Sequence, residues 1–128
     1  MSAMSDYLEN EILDHILGTG AYTMPTTVYV GLSTGSFGDD NSGTELTGNN
    51  YARVAATFSA AASGTTSNSA AIEFAAATGS WGSVSHFGIF DASSAGNLLI
   101  HGAFTTAKTI ASGDILKIPT GDLDITAA

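Results

Sequence analysis

The chain of 128 residues contains no cysteine, two prolines and only three Lys+Arg. Without cysteine there is no disulfide, no thiolate nucleophile and no cysteine ligand for zinc. With three basic residues against twelve Asp+Glu, the formal net charge is −9. Nucleic-acid binding needs clustered Lys and Arg to neutralise phosphates, so that class is excluded, and anionic membrane surfaces are disfavoured on the same ground. No apolar run approaches the length of a membrane span. Met1 to Asp6 carries no basic residue and no apolar run, so no signal peptide is expected. Charged residues are scarce altogether, at 12% of the chain. Ordinary soluble domains carry about 25%. The surface must therefore be Ser, Thr, Gly, Ala and Asn, which packs readily against other protein.

Apolar residues make up 44% of the sequence, enough for one core at this length. Near the N-terminus Leu8, Ile12 and Ile16 recur every four residues, with Leu13 and Leu17 beside them. That spacing predicts an amphipathic helix over residues 5–17. Ser5 or Asp6 can cap it, and Asp6 with Glu9 has capping-box spacing. Gly18 and Gly20 end it. About three turns would be marginal in isolation, so the helix has to dock on something.

Beyond Gly20 the period changes to two. Strands are expected at Thr26–Ser33, Tyr51–Phe58, Ser69–Ala75, Ser83–Asp91 and Asn97–Thr105, with shorter ones at Lys108–Ala111, Asp114–Pro119 and Leu123–Thr126. No second amphipathic helix appears. The fold expected is all-β, an antiparallel β-sandwich or jelly roll of about seven or eight strands with one N-terminal α-helix. Residues 1–20 read as an N-terminal arm and amphipathic helix, and residues 21–128 as the β-sandwich domain. The stretch Gly35–Asn50 is long and irregular, so it is either functional or mobile. Ser59–Ser69 reads as a connection.

Chemistry-bearing patterns are thin. The nucleophile elbow G-x-S-x-G is missing, which removes the usual frame for a serine hydrolase. His86 and His101 fall in expected strands and can face each other, but a metal would need a third ligand. With His15 they read as surface or half-buried residues. Asp39, Asn41, Gly43 and Glu45 alternate like half a calcium loop, without the closing Glu or flanking helices. Asp122 and Asp124 share a strand face, as charges guarding a sheet edge do. Gly18-Thr19-Gly20 ends a helix and has no following Lys, so it is no phosphate loop. Trp81 reads as a plug at the end of the core. The competing reading, a sugar platform of Trp81, Tyr22 and Tyr51, requires exposed rings. Arg53 is expected to pair with a carboxylate, within the chain or across a subunit boundary. No cofactor and no catalytic residue is called.

Five segments carry a resemblance. They are MSDYLENEILDHILGTGAYTMPTTVYVGLST (Met4–Thr34), NYARVAATF (Asn50–Phe58), TSNSAAIEFAAATGSWGSVSHFGIFDA (Thr66–Ala92), GNLLIHGAFTTAKTIASGD (Gly96–Asp114) and GDLDIT (Gly121–Thr126). Together they resemble a family of small tailed-bacteriophage structural proteins of tail-fibre-like type. Family members look as if they start at the position of Met4, so Met1–Ala3 reads as an extension. The resemblance implies a virion component assembled in the host cytoplasm, not an enzyme.

The leading expectation is a capsid decoration or cement protein. Its partners would be the major capsid protein or other virion proteins, and it would form a homo-oligomer such as a trimer. A tail, baseplate or fibre-associated protein is the alternative, and a carbohydrate-binding module a third. Tyr7, Leu8, Ile12, Leu13, Ile16 and Leu17, with Arg53, are the candidate partner-docking residues.

Overall fold

A computed structural model of the chain describes residues 2–127. The element order is β1 (Ser2–Met4), α1 (Asp6–Ile16), β2 (Val28–Ser33), β3 (Val54–Ala56), β4 (Thr65–Ser67), β5 (Ile72–Glu73), β6 (Gly82–Phe90), β7 (Leu98–Ile110), β8 (Lys117–Ile118) and β9 (Asp124–Thr126). The fold is all-β with one N-terminal helix, as the change of period predicts.

One five-stranded antiparallel sheet runs in the order β1-β7-β6-β2-β3, and two ribbons, β4-β9 and β5-β8, form the opposing layer. Val30 and Leu32 of β2 and Val84, Phe87 and Ile89 of β6 point into the space between. Ile72, Phe74, Leu116, Ile118, Leu123 and Ile125 meet them from the ribbon side. Each such side chain contributes about 1.5–3 kcal/mol through removal from water.

The alternation along β6 changes phase after Val84. A register shift lies between Val84, opposite Lys108, and His86, opposite Ala103. Four residues of β7 therefore face Ser85 alone. The irregularity lets Phe104 turn to Phe87, with ring centroids 5.5 Å apart. Two strands expected separately, Asn97–Thr105 and Lys108–Ala111, are thus the two ends of one irregular strand.

Two strands were not legible in the pattern. β4 lies inside the expected connection Ser59–Ser69, after a two-residue turn closed by bonds between Ala62 and Thr65. β1 is held by backbone pairing, with Ser2 opposite Gly102 and Met4 opposite Ile100. Ser2 and Ala3 of the expected extension are therefore part of the main sheet. Ser2 also accepts the Thr126 N–H at 3.0 Å and so touches β9. Met1, where the expected arm begins, and Ala128, where the expected domain ends, lie outside the described residues.

The long stretch Gly35–Asn50 folds over the outer face of the five-stranded sheet. Phe37, 1% exposed, stands edge-on to Phe90 at 5.5 Å with Leu98 beside it. Gly88 makes room: a Cβ there would meet Leu98 at 2.9 Å and the Phe90 ring at 3.0 Å. Around Phe90 the sheet is thereby covered on both faces.

Candidate assembly surface

Ser5 positions the helix. Its backbone is extended, and its Oγ accepts the Leu8 N–H at 3.2 Å. The same hydroxyl donates to the Leu98 carbonyl, and the Ser5 N–H donates to Leu99 at 2.8 Å. One buried serine thus caps α1 and fastens it to β7. Ser5 takes the cap position, so Asp6 and Glu9 form no capping box. The Asp6 N–H donates instead to the Asp39 carbonyl at 2.9 Å, joining the helix to the long loop. At the other end Gly18 takes φ +80°, and the Thr19 N–H reaches back to Asp14 at 2.9 Å. This is a Schellman-type stop.

Only the first part of the apolar stripe is used. Leu8 is buried, while Tyr7 and Ile12 are half-buried. Leu13 is 56% exposed, Ile16 70% and Leu17 72%. Among the secondary-structure elements α1 touches only β7 and β1, which support its first turns. The stretch after it adds Met24, 78% exposed, which sequence reasoning missed because no periodicity surrounds it. Tyr7 and Tyr22 both have phenol pKa values raised by partial desolvation and by the carboxylates of Glu11 and Asp91. Both therefore stay neutral hydrogen-bonding groups at ordinary pH.

Arg53, the remaining docking candidate, faces inward. It makes a two-pronged pair with Glu45, Nε–Oε2 at 2.9 Å and Nη2–Oε1 at 2.8 Å. Nη1 donates to the carbonyls of Ala92 and Ala95, and the guanidinium stacks 3.6 Å above the Phe90 ring. Its carboxylate is therefore in the same chain, not across a subunit boundary. Tyr51 completes the network by donating to Glu45 and accepting the Leu32 N–H at 2.9 Å. Burial, then the bond to Glu45, raises the Tyr51 pKa far above the usual phenol range.

The remaining sequence signals disperse. Trp81 is 5% exposed, stands edge-on to Tyr51 at 5.6 Å, and donates its indole N–H to Asn49. It is a core plug. A sugar platform of Trp81, Tyr22 and Tyr51 does not exist, because two of its three rings are packed inside. His86 and His101 sit diagonally on one sheet face and not opposite each other, because His86 pairs with Ala103 and His101 with Gly88. His86 bonds Ser85, and His101 bonds Asp39 at 2.7 Å. Asp39 and Glu45 thus turn to different partners and form no ion cradle. His15 accepts the Tyr22 N–H through Nδ1. Among the described residues no three His, Asp or Glu side chains gather as a metal site, and no helix is long and apolar enough to cross a membrane.

What the fold presents is an all-β module with an anchored helix whose apolar end is bare. That is the build of a structural component. The chain belongs to the family described as Podophage GP4 fiber I protein gp80, whose model matches residues 3–126. No curated protein matches the chain.

Proposed function

We propose that the protein is a fibre-associated structural component of a podophage virion, acting by protein–protein docking and not by catalysis. The observation that carries this is the family match across nearly the whole chain, to a family described as a fibre protein. The bare apolar end of α1 supports it by supplying a surface that water does not favour. The decoration of a capsid shell, expected first from the resemblance together with the charge-poor composition, has no further observation behind it, and a fibre fits the family's description at least as well.

The same α1 residues serve this role unevenly. Leu13, Ile16 and Leu17 are available to a partner, with Ile12 and Tyr7 at the border. Leu8 holds the helix to its own sheet, and Arg53 holds the long loop. Locating the chain in a map of intact particles tests the assignment. Density at the tail, in the low copy number of a fibre, is the expected outcome. Density spread over the shell lattice would return the decoration reading.

A further inference from the structure

Where β7 runs past β8, the two layers leave a groove of about 210 Å³. Val84, Phe104, Leu116 and Ile118 give it an apolar floor. Lys108, Lys117 and Asp122 stand along it. The chain has three Lys+Arg, and Arg53 is engaged with Glu45, so this groove gathers the other two. Among the described residues neither lysine makes an ion pair, although Asp122 is on the rim and Glu73 sits across the ladder from Lys117. In a protein of net charge −9, an apolar floor flanked by two free ammonium groups fits an apolar segment that also carries carboxylate.

The exposed face of α1 has that composition. Glu9, Leu13 and Leu17 succeed one another at four-residue spacing, all exposed, with Ile16 adjacent. At helical rise, Leu13 lies about 6 Å and Leu17 about 12 Å beyond Glu9. The helix contacts β7 and β1 in its own molecule and makes no contact with β8, so its bare face does not fill its own groove.

We propose that α1 of one copy docks on the β7–β8 groove of a second copy, Leu13 and Leu17 over the floor and Glu9 toward Lys108 and Lys117. The two surfaces differ, so the contact is either reciprocated in a two-fold dimer or repeated head-to-tail, closing into a ring or continuing along an axis. This deepens the fibre reading and rests on it for its setting in the particle, whereas the contact itself is measurable in solution.

The test is sedimentation velocity of the full chain over a concentration series. The wild-type chain should associate, more weakly at high salt. K108E with K117E, or E9K alone, should raise the dissociation constant by about tenfold or more. E9K combined with K108E and K117E in one chain should recover association, because the charges are exchanged and not removed. L13S with L17S should abolish it. Zero-length carbodiimide cross-linking of mixed isotope-labelled and unlabelled copies should join Glu9 to Lys108 or Lys117 between copies. The substitutions lie at exposed positions, and an unchanged thermal midpoint shows that folding is intact.

A chain that stays monomeric throughout, or associates equally well after charge reversal, overturns the proposal. If that monomeric chain still enters particles and K108E with K117E does not, the groove serves another virion protein. The self-docking inference then fails while the fibre reading stands.

Discussion

The loop over residues 35–50 and the segment over residues 13–27 are both surface stretches with little regular structure, yet they are built oppositely. The loop turns its distinctive side chains inward: Phe37 onto Phe90, and Glu45 onto Arg53 and Tyr51. The helix end and the residues just after it turn theirs outward, with Leu13, Ile16, Leu17 and Met24 all largely exposed. Irregular backbone therefore does not mark the free surface of this protein. What marks it is apolar side chain left without a partner inside the chain.

The comparison breaks most readily at Phe37. If the loop is a structural cover, Phe37→Ala empties a site enclosed by Phe90 and Leu98, and the cost should be about 3–5 kcal/mol. Chemical denaturation measures it as a lowered midpoint. A loss below about 0.5 kcal/mol, the level of an ordinary surface substitution, would mean that the loop is a loose flap.

Tyr51→Phe sharpens the same side of the comparison with a smaller effect. It removes the acceptor for the Leu32 N–H and the donor to Glu45, and should cost about 1–3 kcal/mol near neutral pH. The sign of its pH dependence comes from the raised phenol pKa. An unfolded tyrosine ionises near pH 10 while the folded Tyr51 does not. Its stabilisation is thus complete below about pH 10 and falls as the pH rises beyond that value. The gap between wild type and Tyr51→Phe should narrow by about 1 kcal/mol per pH unit there. Urea midpoints at neutral and strongly alkaline pH measure it, and a constant gap would mean that the phenol is not sealed.

Much of the fold could be read from the residues, because it is set by local period. Leu8, Ile12 and Ile16 at four-residue spacing define α1, and Val28, Val30 and Leu32 at two-residue spacing define β2. What could not be read depends on partners far away in sequence. Phe37 is a lone aromatic in a polar stretch, and its burial requires Phe90 and the space above Gly88. Arg53 in an acidic chain signals an ion pair, but the choice of Glu45 is made by the folded loop. β1 exists only because β7 offers an edge. The helix shows the limit most clearly: the sequence predicts one apolar stripe, and only the sheet determines that the stripe is covered at Leu8 and bare from Leu13 onward. The groove is likewise invisible, since Lys108 and Lys117 are joined by topology and not by a motif.

The smallest expected effect on stability belongs to the outward side. Leu13→Ser with Leu17→Ser removes apolar surface that the folded chain leaves in water, so stability should change by no more than about 0.5 kcal/mol per site. Serine is a slightly poorer helix former than leucine, and that difference alone accounts for a few tenths of a kcal/mol at Leu13, which lies inside α1. If the proposed docking holds, incorporation into particles should nevertheless fall, because the exposed apolar residues removed are the ones that docking uses. A thermal melt together with quantification of the chain in purified particles separates the two readouts. A large drop in the melting midpoint would show that the helix end belongs to the core and erase the contrast with the loop. An intact midpoint with intact incorporation would move the assembly surface off α1 altogether. Only an intact midpoint with lost incorporation fits a helix anchored at Ser5 and Leu8 whose far end is reserved for a neighbour.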